Sequence, residues 1–301
     1  MNIDIKINRR TFSKGVAVAA AGALMPAWAC TSDATKPGSK IKIGLVTYLW
    51  GKDMDVPTLI ASCTKSGISG IELRVEHAHG VNPGMSASER AAVKKQFEDS
   101  QVTFVGMGTN EQFDSPDPAV LKQNIDRAKE FIRLSADLGG TGVKVKPNGF
   151  HEGVPHEQTI EQIGKALNEL GEYGSGFGQK IRLEVHGKET QELPNIKAIM
   201  DVANHSNVGA CWNSNDEDLL GQGLDYNFNL VKDRLADTVH VRELNIGEYP
   251  YQQLMNLFVA MDYEGWILLE CRTDPEDKVA AMTEQVAVFQ EMIKKGQEKL
   301  S

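Results

Sequence analysis

From residue 40 onward, short apolar runs rich in β-branched residues alternate with longer stretches whose apolar residues recur at helical spacing. Each apolar run predicts a buried strand, and each longer stretch predicts an amphipathic helix. Glycines and prolines fall between them, where turns are expected. The predicted strands are 41–49, 70–74, 102–107, 142–146, 181–187, 208–213, 238–244 and 265–272, and the predicted helices are 56–65, 86–100, 118–138, 156–173, 193–204, 226–235, 250–261 and 275–299.

This alternation of strands and helices over residues 40–301 predicts a single α/β domain with a (β/α)₈ TIM barrel architecture. A doubly wound open sheet is the competing fold. It is typically marked by a glycine-rich dinucleotide turn after the first strand, and residues 48–52 (YLWGK) contain no such turn. The barrel is therefore the favoured architecture.

The first 29 residues are typical of a twin-arginine export signal that precedes the domain. Arg9 and Arg10 come before a modest apolar stretch at 16–25, and Ala27 and Ala29 form a small-x-small cleavage motif before Cys30. Residues 30–39 are polar and predict a tether. We therefore expect an exported, periplasmic protein. The sequence leaves open whether it is soluble or carries a lipid anchor at Cys30.

Composition and net charge limit the classes of binding partner. The net charge of −9 disfavours nucleic acid as the main partner, and 41% hydrophobic residues suffice for a large core. Apart from Cys30, the cysteines are Cys63, Cys211 and Cys271, and their spacing matches no zinc finger. Composition does not identify the ligand; the strand residues described next lead us to expect a small carbohydrate, and the sequence leaves homo-oligomerisation open.

Polar donors stand late in the last four predicted strands. Residues 181–187 read IRLEVHG, so Glu184 and His186 lie two apart and point to the same side. Asn213, His240 and Glu270 are placed similarly in the next three strands. Because a TIM barrel gathers its strand ends at one mouth, we predict that Glu184, Asn213, His240 and Glu270 bind a divalent metal: Mn, Mg, Co or Zn.

Other residues are predicted to surround this site. His186 either acts as a base on the substrate or supports a ligand through a hydrogen bond. Lys146 is expected to bind a substrate hydroxyl or oxyanion, and Trp50 to offer a ring face on which a sugar stacks. The expected substrate-binding residues are Lys146, Arg242, Arg272, His79 and Trp50.

Purely structural roles for the same residues also stay open. Glu184 and Glu270 would form salt bridges with Arg242 and Arg272 that close the mouth. Glu72 would pair with Lys144 or with Arg182, which is expected inside the barrel.

These residues resemble the sugar phosphate isomerase/epimerase superfamily, the xylose-isomerase-like TIM barrels. The resemblance covers the chain from about Lys40. Its motifs are a GIE segment in strand two and a Glu, Asp, His and Glu in strands five to eight. This chain has Asn213 where the family has aspartate, and Arg242-Glu243 where it has Lys-Asp. The family positions fall on Gly70-Ile71-Glu72, Glu184, Asn213, His240 and Glu270.

The resemblance implies that Glu184 and Glu270 act as an acid/base pair beside a metal ion, on opposite faces of a sugar carbon. That is isomerase or epimerase chemistry, and the export signal favours a non-phosphorylated sugar. Two alternatives remain open: a 3-oxo-glycoside lyase or hydrolase that uses the same site, with His186 or a glutamate as base, and a non-catalytic sugar-binding barrel. The resemblance extends to abasic-site endonucleases, but the acidic chain disfavours that activity.

Overall fold

The computed structural model describes residues 36–300 of the chain. The predicted export signal at 1–29, Cys30 and most of the predicted tether lie outside the described residues, so export and lipid attachment stay predictions. Residues 36–39 form a turn held against the rest of the domain, where Gly38 N donates to Asp262 Oδ1 at 2.7 Å. None of the helices within 36–300 combines the length and the apolar character that crossing a membrane requires.

Eight strands form one parallel sheet, and a helix follows each strand, which confirms the predicted TIM barrel. Every strand is shorter than or equal to its predicted apolar run except β3, which extends farther toward the mouth. The strands are β1 (Lys42–Val46), β2 (Gly70–Arg74), β3 (Thr103–Gln112), β4 (Gly142–Lys146), β5 (Lys180–Glu184), β6 (Val208–Cys211), β7 (Thr238–Val241) and β8 (Trp266–Leu269).

The barrel closes irregularly between β6 and β7. The other neighbouring strands pair through parallel ladders, with register irregularities in the β2–β3 and β3–β4 pairs, whereas β6 and β7 meet through single bridges at Ala210–Leu235 and Asn213–His240. Ala236 N donates to Ala210 O at 2.8 Å ahead of β7, and His240 N donates to Trp212 O at 2.7 Å near the C-terminal ends of both strands. Asn213 and His240 are therefore brought side by side by barrel closure itself.

Four of the α-helices within residues 36–300 begin at a side chain that caps them. Asp55, Ser86, Asp117 and Asp277 each accept a hydrogen bond from a first-turn amide, which satisfies a donor that the helix leaves free. The sixth helix starts after Gly223, which adopts φ +84°, and it ends earlier than predicted. The helices are α1 (Val56–Ser66), α2 (Ala87–Glu98), α3 (Pro118–Asp137), α4 (His156–Ser175), α5 (Leu193–Val202), α6 (Leu224–Val231), α7 (Tyr251–Ala260) and α8 (Lys278–Glu298), with short 3₁₀ turns at Asp216–Leu219 and Lys232–Arg234.

The large apolar core fills the layer between the strands and the helices, while the barrel interior is mixed. At its N-terminal end the interior holds the buried Arg182, which pairs with the half-buried Asp237 at 2.9 Å, together with Trp266. Arg182 also donates to Thr141 Oγ1 at 2.7 Å, so its charge is compensated. The polar side chains of the interior that lack such a partner therefore lie toward the C-terminal ends of the strands.

Candidate active site

Glu184, His240 and Glu270 converge at the C-terminal end of the barrel. Glu184 ends β5, His240 lies within β7, and Glu270 directly follows β8 rather than lying inside it. One ligand atom of each residue lies within 4.8 Å of the others. His240 Nδ1 is 3.3 Å from Glu184 Oε1 and 3.9 Å from Glu270 Oε2. The structure therefore brings three of the four predicted ligands into one group.

Asn213, the fourth predicted ligand, contacts this group through its amide. Asn213 Nδ2 donates to Glu184 Oε1 at 3.2 Å, and the side chain is buried. In this orientation the amide holds the glutamate instead of offering an oxygen to a cation. The nitrogen and oxygen exchange places when the amide rotates by half a turn, and which one faces Glu184 follows from the hydrogen-bond network.

Glu72 is a member of the site, although the sequence predicts it in a structural pair. Its Oε1 accepts from His240 Nε2 at 3.1 Å, and both side chains are fully buried. Its second oxygen, Oε2, has no hydrogen-bond partner among the described residues. A sequence signal for this role exists: Glu72 is a carboxylate between Ile71 and Leu73 in an apolar strand, and such a group is costly to bury unless it is paired or bound.

Lys144 gives the site a fixed positive charge. Its Nζ lies 2.7 Å from Glu184 Oε2 and 3.2 Å from Thr109 O, and it is buried. Burial alone would lower the pKa of Lys144, but Glu184, Glu270 and Glu72 outweigh it and raise that pKa. Burial would raise the pKa of Glu184, but Lys144 and His240 hold it well below its usual range. This ion pair is therefore charged at neutral pH.

His240 lies between two carboxylates and has both ring nitrogens engaged. Burial would lower the pKa of His240, but Cys211, Glu72 and Glu184 outweigh it and place that pKa well above its ordinary value. Without a metal ion the imidazole therefore carries the proton that joins Glu184 to Glu72.

The donors fit a divalent cation. Metal–ligand distances of about 2.1 Å place adjacent ligand atoms roughly 3 to 4 Å apart, as are the nitrogen and oxygens at 3.3 and 3.9 Å. A carboxylate on the outer nitrogen of a ligating histidine fixes its tautomer, and Glu72 makes that contact to His240 Nε2. The residues Glu184, His240 and Glu270 would hold the ion, with Asn213 as a neutral oxygen donor after amide rotation.

His186 and Lys146 stand one layer farther out. The Nδ1 atom of His186 is buried without a partner among the described residues, and burial lowers the pKa of this imidazole, so it is neutral near pH 7. Lys146 Nζ donates to Asn110 Oδ1 at 3.2 Å. Burial, followed by the charge of Lys144, lowers the pKa of Lys146 to about 8. A neutral imidazole and a weakly held ammonium are thus available beside Glu184.

Trp50 and His79 do not occupy the positions expected of substrate-binding residues. Trp50 is 2% exposed, and its Nε1 donates to Thr273 O at 3.0 Å, so it offers no open ring face. Burying a large indole with its N–H satisfied stabilises the fold more than leaving it at the mouth. His79 is 8% exposed, and both its ring nitrogens contact backbone atoms, of Arg74 and Val81. It orders the loop after β2.

Arg242 and Arg272 lie at the mouth, but the salt bridges that would have made them structural are not formed within residues 36–300. Glu184 pairs with Lys144 and His240 instead. The Nε atom of Arg242 is buried and has no partner in this part of the chain, and the Arg272 side chain is exposed. Both guanidinium groups therefore remain available to a bound molecule.

Comparison with known proteins places the chain in a family. It belongs to the xylose isomerase-like TIM barrel family, whose sequence model matches residues 60–292. No curated protein matches the sequence.

Solved structures share the same barrel. The apo crystal structure of the 3-keto-D-glucoside 4-epimerase YcjR from E. coli matches with a TM-score of 0.71 at 14% identity, over 84% of this chain and 100% of that one. An L-ribulose 3-epimerase matches with a TM-score of 0.74 at 15% identity, over 86% and 97% of the two chains. The IOLI protein with a bound zinc atom matches with a TM-score of 0.67 at 14% identity, over 86% and 98%. At these identities the likeness shows the fold alone.

Proposed function

We propose that this protein is a metal-dependent sugar isomerase or epimerase, which removes a proton from a carbon next to a carbonyl group of a non-phosphorylated sugar. The observation that carries the proposal is the convergence of Glu184, His240 and Glu270 within 4.8 Å at the mouth of the barrel. Two carboxylates beside one cation site supply both the proton acceptor and the proton donor that epimerisation needs.

The two glutamates differ in their surroundings. Glu184 is held by Lys144, His240 and Asn213, whereas the Glu270 side chain is 12% exposed and, within residues 36–300, forms no ion pair besides the 3.9 Å contact to His240. Glu184, which is held ionised, is therefore assigned as the residue that first removes the proton, and Glu270 as the proton donor on the other face. A bound divalent cation would polarise the carbonyl group and stabilise the enediolate. Lys144 keeps Glu184 ionised, and His186 supplies a hydrogen bond to a substrate hydroxyl.

The proposed substrate class draws on the neighbours and on the predicted export signal. The neighbouring structures include epimerases that act on a 3-keto-glucoside and on L-ribulose, both of which contain a carbonyl group. A periplasmic enzyme meets few sugar phosphates, which supports a free sugar or glycoside as substrate. A zinc-containing neighbour supports a divalent cation as the cofactor, to be chosen among Mn, Mg, Co and Zn.

A second candidate is a lyase on 3-oxo-glycosides, which the unpartnered Nδ1 of His186 favours. The ketone at C3 acidifies the C2 proton, and loss of that proton expels the C1 substituent as an alcohol or phenol. Neutral His186 would take the proton at C2, with no partner to displace. The two reactions share the abstraction step and differ in whether the glycosidic bond survives.

The test is proton exchange in heavy water. Purified protein loaded in turn with Mn²⁺, Co²⁺, Mg²⁺ or Zn²⁺ is incubated with ketoses and 3-oxo-glucosides, and deuterium incorporation is followed by NMR. We expect incorporation at the carbon beside the carbonyl, with formation of an epimer, and loss of at least about 10²-fold in rate in Glu184→Gln and Glu270→Gln. Release of the aglycone without epimer formation would identify the lyase instead.

A matched control separates chemistry from folding. Glu98→Gln changes an exposed glutamate at the end of α2, whose 3.7 Å pair with Lys94 lies on the surface, and should keep the wild-type rate. Glu270→Gln should retain the wild-type circular dichroism spectrum, since its side chain is partly exposed. No exchange with any carbonyl sugar and any of the metals, in folded wild-type protein, would instead indicate a non-catalytic sugar-binding barrel.

A further inference from the structure

Four cations stand at the ends of four barrel strands, in the layer directly outside the acidic donors. Arg74 and Lys146 end β2 and β4, and Arg242 and Arg272 follow β7 and β8. Each lies two residues beyond an inward-facing or ligand residue: Glu72, Lys144, His240 and Glu270. Alternation along the strand places Arg74 and Lys146 on the same side as Glu72 and Lys144, whereas Arg242 and Arg272 lie just beyond the ends of β7 and β8. We call these four residues the rim cations.

Within residues 36–300, none of the rim cations forms an ion pair. Lys146 bonds only the neutral Asn110, Arg74 lies over the Tyr48 ring at 4.8 Å, and Arg242 has a buried Nε without a partner. Arg272 uses its backbone amide, not its guanidinium, to bond Glu243. In a chain of net charge −9, four cations at the strand ends, without an ion pair among the described residues, form a local field opposite to the overall charge, although Glu184 and Glu270 act on Lys146 and Arg242 acts on Asp218.

Acidic residues near the mouth of the barrel pair with groups other than the rim cations. Glu111 pairs with Arg127 at 3.2 Å, and Asp114 accepts hydrogen bonds from Asn148, Gly149 and His151. Glu243 accepts from the backbone of Arg272 and Thr273. Glu76 is exposed and forms no pair in the described part of the chain. These carboxylates leave the rim cations free to bind a ligand.

Two of the rim cations, Arg74 and Lys146, are close enough for the charge of one to act on the other. Burial, then Lys144, then the more distant charge of Arg74 lower the pKa of Lys146, although Glu184 and Glu270 oppose them. Arg74 and Lys146 also act on His186, which stands in the same layer. Side chains from β2, β4 and β5 thus face a common space. Like charges held together in a partly buried space destabilise the empty site, and an anion bound among them relieves that repulsion.

We propose that the rim cations bind an anionic group of the substrate, so that the protein acts on a negatively charged sugar derivative rather than on a neutral sugar. The anion lies outside the acidic donors, which places the reacting carbonyl at Glu184 and Glu270 and the charged end toward the mouth. The shared chemistry is that of a carboxylate or a phosphoryl group, both of which arginine binds through paired hydrogen bonds. This inference rests on the proposed function for the position of the carbonyl, and on the rim cations alone for the charge.

The experiment measures binding of matched neutral and anionic probes by isothermal titration calorimetry. The pairs are D-galactose with D-galacturonate, and D-fructose with D-fructose 6-phosphate. We expect at least one anionic member to bind about tenfold or more tightly than its neutral partner at low ionic strength, and the advantage to shrink as salt screens the charges. Preference for galacturonate identifies a sugar acid; preference for the phosphate ester identifies a sugar phosphate and revises the non-phosphorylated assignment.

Variants assign the effect to the rim. Arg74→Gln, Lys146→Gln and Arg272→Gln should each reduce the anion-to-neutral affinity ratio by about tenfold, since each removes one charge-assisted contact. Arg272 is exposed, so its variant tests the inference even where the more buried variants fail to fold. Lys65→Gln removes an exposed lysine in the last turn of α1, at the opposite end of the barrel, and should leave the ratio unchanged.

The outcomes also separate this inference from the proposed function. Binding is measured in Glu270→Gln as well, where exchange is expected to be lost and the anion preference to be kept. An anion preference in wild-type protein that shows no deuterium exchange with any of the sugars would overturn the proposed function alone. Equal affinity for the members of both pairs, absence of measurable binding by either anionic probe, or a ratio unchanged in every rim variant would overturn the present inference, whatever the exchange assay gives.

Discussion

Lys144 Nζ lies 2.7 Å from Glu184 Oε2, and both side chains are buried at the centre of the barrel. Charge balance shows why this ammonium matters. Without metal, three carboxylates (Glu72, Glu184, Glu270) face two cations, Lys144 and protonated His240, which leaves −3 + 2 = −1. A divalent cation that replaces the His240 proton gives −3 + 1 + 2 = 0. The cluster is therefore neutral with one divalent ion and a neutral Asn213.

Lys144→Met tests whether the Lys144 ammonium compensates the charge of Glu184. Removal of the ammonium leaves Glu184 buried without its closest cation, and breaking a buried ion pair typically costs about 3–5 kcal/mol of unfolding free energy. Urea denaturation of the metal-free protein measures the loss. Lys129→Met, which breaks a surface pair with Glu169, should cost at most about 1 kcal/mol. Equal effects of the two changes would show that Lys144 does not compensate Glu184.

Asn213→Asp tests whether the cluster is neutral when it holds one divalent ion. The added carboxylate stands beside Glu184 Oε1, where Asn213 Nδ2 now donates at 3.2 Å. We expect the variant to bind Mn²⁺ or Zn²⁺ at least about tenfold more tightly, because one more negative charge faces the ion, and to be less stable without metal, because two buried carboxylates repel. Chelator competition and metal-free thermal unfolding measure the two effects. If metal affinity and metal-free stability both rose, or both fell, the result would contradict the charge balance.

Glu72→Gln tests whether Glu72 orients His240 as a ligand or binds the metal ion directly. The variant keeps a hydrogen-bond acceptor near His240 Nε2 but loses the carboxylate charge, so the histidine becomes a weaker ligand. Loss of such an outer carboxylate typically lowers metal affinity by about 10- to 100-fold. Chelator competition should show that loss without a change in the number of ions bound. Glu98→Gln is the matched surface control, and affinity equal to wild type in Glu72→Gln would show that Glu72 does not orient the ligand.

The barrel is predictable from the sequence because strand and helix periodicities alternate without interruption. Glu184, His240 and Glu270 are identifiable as site residues because a polar side chain late in an apolar strand is costly to bury unless it is paired or bound. Their pairing is not predictable, since the partner of a buried charge depends on which strands become neighbours across the barrel. The sequence suggests Lys144 and Glu72 as a structural pair, yet they contact Glu184 and His240 separately.

Loop residues are harder to predict than strand residues. Trp50 and His79 follow β1 and β2 closely, and their local sequence contains nothing that tells an open ring face from one packed under the next loop. Thr273, which accepts the Trp50 N–H, is separated from it by 223 positions. The closing bridge between Asn213 and His240 is similarly a property of the closed sheet, because each residue alone reads as an ordinary strand end.

Asp218 provides a pH-dependent prediction outside the metal group. Burial raises the pKa of Asp218 to about 7, although Tyr249 donates to its Oδ2 at 2.6 Å. Between the ordinary value of 3.8 and pH 7 the folded chain holds a proton that the unfolded chain has lost. The contribution of Asp218 to stability is thus fully present at pH 4 and below, and it is lost as the pH rises toward 7.

The measurement is the unfolding free energy of wild type minus that of Asp218→Asn, from urea titrations between pH 5 and 8 in chelator. We expect the difference to fall by roughly 3 kcal/mol over this range, since about two units of the shift are crossed and each is worth about 1.4 kcal/mol. Asp216→Asn, at an exposed position of the same 3₁₀ turn, serves as the surface control measured in parallel. A flat difference for Asp218→Asn would mean that the folded chain ionises this carboxyl group at its ordinary pKa, so that the loop between β6 and α6 admits water to it.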